Sequence, residues 1–145
     1  MVNKEMEAWG SKESTHTLGD FVRHVAAELT RTNGGFPYEY DYDEAWQRML
    51  FYISKKYNGI EPFSSTKLIF EYDDAEYPVC PQMSEYMDEL GFLGAIDTDV
   101  QRGMGRLNRY VAELWERELQ NQDKEYQKII REASAWLTAY VRKNE

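Results

Sequence analysis

The chain has 145 residues, a hydrophobic fraction of 42% and a formal net charge of −9 at neutral pH. This length and composition fit a globular domain with an ordinary core, and they exclude a wholly disordered chain. The negative charge disfavours direct binding to nucleic acids or anionic membranes and favours basic protein surfaces. Cys80 is the only cysteine, which excludes an intrachain disulfide. Because no apolar run approaches the roughly 20 residues of a membrane helix, we expect a soluble cytoplasmic protein.

The N-terminal segment differs from the rest of the chain. Residues 1–14 are polar and weakly patterned, so we expect a flexible tail there, or a short helix over residues 3–9, and a single globular domain over residues 15–145. The first predicted helix spans about residues 17–32, where apolar residues recur at helical spacing. Thr15 or Thr17 is expected to cap its start, and the two glycines that follow are expected to end it.

The next segments predict a second helix and a small β-hairpin. Residues 42–57 have helical periodicity, and Asp41 with Glu44 fits a capping box at their start. The stretch that follows holds three of the four prolines of the chain. Within it, residues 66–72 are rich in β-branched and aromatic side chains, and residues 77–80 are expected to return as a second, edge strand.

The C-terminal half predicts three helices. A short one covers residues 83–90, and Asp97 or Thr98 is expected to cap a long one that ends near Asn121. The last covers residues 122–142. The apolar ridge expected on the long helix consists of Val100, Met104, Leu107, Val111, Leu114 and Leu119.

The connection between the last two helices has two interpretations. A turn at residues 120–123 predicts an antiparallel helix pair, whereas one continuous helix over residues 98–142 would imply an oligomer. With the turn, the elements predict an α+β fold that is mainly α. It has four to five helices, one small β-hairpin and a C-terminal antiparallel helix pair.

The excess negative charge lies in a tyrosine-rich middle stretch. Residues 36–99 contain 14 acidic and 4 basic residues, and they hold eight of the eleven tyrosines. Tyrosine gives contact area at low entropic cost, and carboxylates steer and orient a basic partner. We therefore predict a docking surface made of Tyr38, Glu39, Tyr40, Asp41, Tyr42, Asp43 and Glu44, with Glu71, Asp73, Asp74 and Glu76 as a second cluster. A solvated loop followed by a helix cap is the alternative interpretation of the first run.

The sequence predicts no metal, cofactor or catalytic site. The acidic runs lack the glycine and glutamate that a calcium loop needs, and the histidines lack zinc spacing. His24 is expected at the surface or boundary of the first helix, and nothing local supports a Cys80–His24 nucleophile pair. Three arginines would share one face of the predicted long helix, namely Arg102, Arg106 and Arg109. We expect them to pair with acids of the same chain rather than with phosphate.

These patterns predict a small cytoplasmic inhibitor that binds and blocks a basic nuclease or another nucleic-acid-binding protein. Its carboxylates would stand in for phosphates. An immunity protein or antitoxin and a phage-type inhibitor of a host defence complex fit the same physics. We expect no direct binding to nucleic acid or membrane. The alternatives are an enzyme with a carboxylate-lined pocket and a helical scaffold that dimerises through Leu107, Val111 and Leu114.

Overall fold

The fold was analysed in a computed structural model that describes residues 17–37, 42–58, 68–71, 76–92, 95–99 and 104–143. Within these segments the chain forms five helices and a three-stranded antiparallel sheet, so the predicted α+β, mainly α class is confirmed. The elements are α1 (Leu18–Asn33), β1 (Phe36–Pro37), α2 (Tyr42–Lys56), α3 (Pro81–Phe92), β2 (Ile96–Asp99), β3 (Met104–Leu107), α4 (Arg109–Gln120) and α5 (Lys124–Lys143). The predicted tail, residues 1–14, lies outside the described segments.

Helix α1 is the central element, since α3, α4, α5 and the sheet all pack against it. The Thr17 hydroxyl accepts the Asp20 backbone N–H at 3.0 Å, and the Asp20 carboxylate accepts the Thr17 backbone N–H at 3.1 Å. Gly34 ends the helix in the left-handed region, with a φ of 80°. The predicted helix and both caps are confirmed. Ten of its 16 residues are buried, so α1 is enclosed on more than one face.

The β2–β3 hairpin occupies the place where the sequence predicted the first turns of a long helix. Its register pairs Thr98 with Gly105. The prediction was wrong because helical spacing of apolar residues was given more weight than Gly103 and Gly105, each of which costs a helix about 1 kcal/mol relative to alanine. On the other edge of β3, a Cβ at Gly35 would lie 2.7 Å from the Gly105 carbonyl oxygen. Gly35 therefore permits the close approach of β1.

The two C-terminal helices are separate. Helix α4 starts after Asn108, whose Oδ1 accepts the Val111 backbone N–H at 3.0 Å. A tight turn over residues 121–123 follows, and Asp123 then caps α5 through the Tyr126 backbone N–H at 2.8 Å. The predicted helix pair is confirmed, and one continuous helix over residues 98–142 is excluded. Both helices pack on α1.

Only part of the other predicted hairpin lies in the described segments. Of residues 66–72 and 77–80, the described part forms a single antiparallel bridge between Glu71 and Val79. Pro78 lacks a backbone N–H and limits any longer ladder. Helix α3 begins immediately after this bridge, at Pro81 and not at the predicted residue 83. This earlier start agrees with the preference of proline for the first helical position.

A buried glutamine joins α2 to the start of α3. The Gln47 Nε2 donates to the Cys80 carbonyl and to the Ser84 Oγ, both at 3.0 Å, and its Oε1 accepts the Cys80 backbone N–H at 2.7 Å. On the other side α3 packs closely on α1, because a Cβ at Gly19 would lie 2.9 Å from the Tyr86 ring. These contacts fix the position of α3.

His24 is buried, not at a boundary as the sequence suggested, and it joins α1 to α4 and α5. Its Nδ1 lies 2.7 Å from the Tyr126 hydroxyl, and its Nε2 lies 3.3 Å from the Glu118 Oε1. Burial lowers the pKa of His24 and raises that of Tyr126, so both groups are neutral at pH 7. A neutral imidazole that accepts from the tyrosine and donates to the carboxylate satisfies all three side chains.

Buried side chains from all five helices, β1 and β3 form one hydrophobic core. The largest include Trp46 of α2 and Phe36 of β1, whose rings meet edge to face with centroids 6.0 Å apart. Across the segments described, no helix combines the length and apolarity that crossing a bilayer requires.

Replacing Tyr126 by phenylalanine should lower the free energy of unfolding by about 1–3 kcal/mol, since it leaves the His24 Nδ1 buried without a partner. Urea denaturation followed by circular dichroism at neutral pH measures the change. Tyr110→Phe is the matched control, because Tyr110 is 73% exposed. It should alter stability by less than about 0.5 kcal/mol. Equal stability of the two variants would contradict the role assigned to the His24–Tyr126 hydrogen bond.

Candidate functional site

The described segments contain only part of the predicted docking surface. Tyr38, Glu39, Tyr40, Asp41, Asp73 and Asp74 lie outside them. Tyr42 and Asp43 belong to the first turn of α2, but their side chains are not described. The docking candidates whose side chains can be placed are therefore Glu44, Glu71 and Glu76.

Glu44 connects two helices within the molecule. Its Oε2 accepts the Arg48 Nε at 2.8 Å and the Tyr140 hydroxyl at 2.9 Å. The hydrogen bond from Arg48, followed by that from Tyr140, lowers the pKa of Glu44. The carboxylate is therefore ionised and already shared between α2 and α5.

Glu71 and Glu76 are exposed, and they precede a helix that carries more acids. On α3, Glu85 and Glu89 are one turn apart and share an exposed surface with Asp88. The opposite side of α3 buries two methionines in the core. We call the five exposed carboxylates of this region the acidic face, which consists of Glu71, Glu76, Glu85, Asp88 and Glu89.

The sequence around the acidic face carries charge of one sign. Residues 68–101 contain nine aspartates and glutamates and no lysine, arginine or histidine. All six of these acids whose side chains are described are exposed. The feature is less evident over residues 36–99 as a whole, because all four bases of that stretch precede residue 68. Five of these six acids form the acidic face, whereas Asp97 lines the groove described below. One base from outside the stretch lies beside this face, because the Arg48 guanidinium is 5.2 Å from the centroid of the Tyr77 ring. The excess of carboxylates gives the face a negative potential that extends over about one Debye length, roughly 8–10 Å.

A second feature is a groove of about 760 Å³ between α1, the β2–β3 hairpin and α4. Four arginines line it, namely Arg31, Arg106, Arg109 and Arg117. The prediction that Arg106 and Arg109 share a helix face was wrong, because Arg106 lies on β3. The hairpin nevertheless brings both to the same groove, while Arg102 lies outside the described segments.

Arg31 bridges two carboxylates beside the groove. Its Nη2 lies 2.7 Å from the Glu28 Oε2, and its Nε lies 3.0 Å from the Glu116 Oε2. These glutamate side chains are 7% and 15% exposed. Burial, followed by the charge of Glu28, raises the pKa of Glu116. The Glu116 Oε1 is buried and accepts no hydrogen bond from any described residue. The Arg31 guanidinium thus pairs with two carboxylates, and the Glu116 Oε1 remains without a hydrogen bond from the described residues.

Neither feature contains a recognisable catalytic set. No three histidine, cysteine, aspartate or glutamate side chains of the described segments are grouped as metal ligands. Cys80 is buried, and burial raises the pKa of its thiol. Its Sγ lies 3.3 Å from the Gln82 Oε1, whereas His24 bonds to Tyr126 and Glu118. The Cys80–His24 pair therefore gains no support from these contacts.

Comparison of the chain with protein-family models, with curated proteins and with solved structures finds no match. No relative therefore supplies a ligand, a partner or a residue role by analogy. The acidic face and the groove are therefore the features whose chemistry bears on function.

Changing Glu116 to glutamine should alter how stability depends on pH. The pKa of Glu116 is raised in the folded chain, so the folded chain binds more protons than the unfolded chain and this group favours folding more as pH falls. The substitution removes that titration. The unfolding free energy of Glu116→Gln relative to wild type should therefore decrease as pH falls from neutral towards about 4.5, the ordinary pKa of a glutamate.

Thermal or urea unfolding across this pH range measures the difference. Glu113→Gln corrects for the loss of one negative charge from α4, since Glu113 is exposed on the same helix. A difference that grows as pH falls, after this correction, would contradict the raised pKa of Glu116.

Proposed function

We propose that this protein is a cytoplasmic inhibitor that binds a basic nucleic-acid-binding protein through its acidic face. The observation that carries the proposal is the segregation of charge, with nine acids and no base over residues 68–101. A nuclease or nucleic-acid-binding complex presents lysines and arginines where it contacts phosphates. Carboxylates can occupy those positions through charge-assisted hydrogen bonds, and the bound inhibitor then excludes the nucleic acid.

The support of α3 by the core favours this role. Met83 and Met87 of this helix are buried in the core, and the Gln47 side chain forms hydrogen bonds with the Cys80 backbone, just before the helix begins. A surface that is ordered before binding loses little conformational entropy when the complex forms. The tyrosine-rich run over residues 38–44 is proposed to add aromatic anchors next to the carboxylates.

Two biological settings use the same chemistry. An immunity protein or antitoxin would cap a nuclease toxin, and a phage-type inhibitor would cap a host defence complex. In both, steering by the acidic face gives fast association that weakens as salt rises. The settings differ in the identity of the basic partner.

Catalysis in the arginine-lined groove is a second candidate function. A largely buried carboxyl group with a raised pKa, such as Glu116, is the type of group that acts as a general acid or base. Thr30 contributes the one hydroxyl group of the described lining, and it already accepts the Leu107 backbone N–H at 3.2 Å. With no activated nucleophile next to Glu116 in this lining, catalysis has less support than docking.

An oligomeric scaffold has the least support. Leu107, one of the three residues expected at the dimer interface, is buried in the core of its own chain. Val111 packs against that core as well. Dimerisation through these positions would have to compete with packing inside the chain.

Reversing two charges of the acidic face tests the docking proposal. In Glu85→Lys with Glu89→Lys, the fold should persist because both side chains are exposed. Affinity for the partner captured from the native host should fall at least about tenfold at low salt, mainly through slower association. Surface plasmon resonance measures both the rate and the affinity.

The matched control reverses two exposed acids elsewhere, Glu113→Lys with Glu125→Lys, and so changes the net charge by the same amount. It should retain most of the affinity. Equal losses for the two double variants would show that only net charge matters, and no loss in the first would exclude the acidic face as the docking site.

A further inference from the structure

The outer edge of β2 has no strand partner within the described segments. In the order β1–β3–β2, strand β3 lies in the centre, so β1 and β2 form the two edges of the sheet. Helices α1 and α5 pack against β1, and Pro37 has no backbone N–H to offer. Strand β2 lacks both forms of protection, since it contains no proline and packs mainly against β3. An edge of this kind is a template for another extended chain.

The register of the hairpin shows which backbone groups of β2 face outward. The Asn108 N–H donates to the Ala95 carbonyl at 2.8 Å, so these opposed residues form a hydrogen-bonded pair. Such pairs alternate along an antiparallel ladder, and the next ones on β2 are its two aspartates. Leu107, which lies opposite Ile96, agrees with this pattern because its N–H points away from β2, to a threonine hydroxyl of α1 at 3.2 Å. The N–H and C=O groups of Ile96 and Thr98 therefore face the free edge.

The two faces of the sheet favour different side chains on an added strand. Ile96 packs partly against the core, whereas Asp97 is exposed on the opposite face. An added strand would therefore place an apolar side chain beside Ile96 and a base beside Asp97. Arg106 of β3 flanks Asp97 on one side, and the added base would flank it on the other. An extended segment with alternating apolar and basic residues fits this edge.

A second copy of the chain fits the edge poorly. Consider antiparallel pairing of β2 with β2 of another copy, with Ile96 or Thr98 opposite Thr98 of the other chain. Either register places Asp97 opposite an aspartate, since residues 97 and 99 are both acidic. Like charges in opposed positions destabilise a strand pair. The occupant is therefore a different chain of the opposite charge.

The free edge lies close to the acidic face. Helix α3 ends at Phe92 and β2 begins at Ile96, so the Cα atoms of these residues are at most about 14 Å apart. A protein docked on the acidic face can therefore reach β2 with an extended arm. Basic arms are a recurrent feature of proteins that bind nucleic acid.

We propose that a basic, extended arm of the docked partner adds to β2 as a fourth strand and bonds to the backbone of Ile96 and Thr98. Main-chain hydrogen bonds supply affinity, and the alternation of apolar and basic side chains supplies selectivity. The inference rests on the proposed docking function for the identity of the partner. An arm that otherwise contacts nucleic acid is then held by the inhibitor as a strand.

Amide hydrogen exchange, followed by NMR on the purified chain, tests strand addition with a short synthetic peptide of alternating lysine and valine. In the free chain the Ile96 and Thr98 amides should exchange at least about tenfold faster than the Asp97 amide, which donates to β3. Saturating peptide should slow both of them at least about tenfold. Equal protection of all three amides in the free chain, or no slowing by the peptide, would overturn the proposal.

Two N-methylated peptides are matched controls of unchanged charge, and isothermal titration calorimetry compares their affinities. N-methylation of the valines removes the N–H groups that face Ile96 and Thr98, and it should weaken binding at least about tenfold. N-methylation of the lysines alters the outer edge of the added strand and should weaken binding far less. Equal affinities of the two peptides would show attraction by charge alone and would overturn strand addition.

A proline substitution locates the added strand on the chain. Thr98→Pro removes an outward N–H and leaves the bonds of β2 to β3 in place, so the fold should persist, as circular dichroism checks. It should weaken binding of the unmethylated peptide at least about fivefold. Thr98→Val keeps the N–H and should bind as wild type does. Equal affinity of the two variants would overturn the assignment to β2. Failure of the docking function appears separately, as unchanged partner affinity in Glu85→Lys with Glu89→Lys.

Discussion

The burial of α1 is the constraint on which the rest of the structure depends. A helix enclosed on several sides needs partners for the polar side chains that it takes into the core. Arg31 pairs with Glu28 of the same helix and with Glu116 of α4, and His24 bonds to Tyr126 of α5, whereas the buried Arg23 Nε has no acceptor among the described residues. These contacts fix α4 and α5 relative to α1. They also hold α1 and α4, which both line the groove, in their relative positions.

The two candidate sites differ in how their charge arises. The acidic face is predominantly negative because residues 68–101 contain no base, and the one base placed beside it, Arg48, comes from α2. The groove mixes charges, since arginines from α1, β3 and α4 line it together with Asp97 of β2 and with Glu113 and Glu116 of α4. A surface of one sign acts at a distance and suits a large basic partner. A mixed groove acts by contact and suits a small ligand with several functional groups.

Sequence patterns predicted the elements whose signals are local. The threonine cap, expected at Thr15 or Thr17, and the spacing of apolar residues identify α1, and the turn at residues 121–123 separates the last two helices. The β2–β3 hairpin was missed because Leu107 and its neighbours also fit helical spacing. The stop signals at Gly103 and Gly105, together with Asn108 as a helix cap, could have identified it.

The candidate sites were less predictable than the fold. The acidic character of the middle stretch was clear from composition, but the sequence did not single out α3 as its carrier. Arg31 and Glu116 are 85 residues apart, and no local pattern links them. Their contact depends on how α4 packs on α1, which is a property of the whole core. The environment of His24 was missed for the same reason.

Competition with nucleic acid tests the docking function most directly. The chain would be immobilised and the partner captured from the native host at low salt, with Glu85→Lys plus Glu89→Lys as the second bait. The proposal predicts one basic protein that is retained by the wild-type chain, lost from the variant, and released by added duplex DNA or RNA or by moderate salt. A partner that binds both baits equally, or that stays bound when nucleic acid is added, would contradict it.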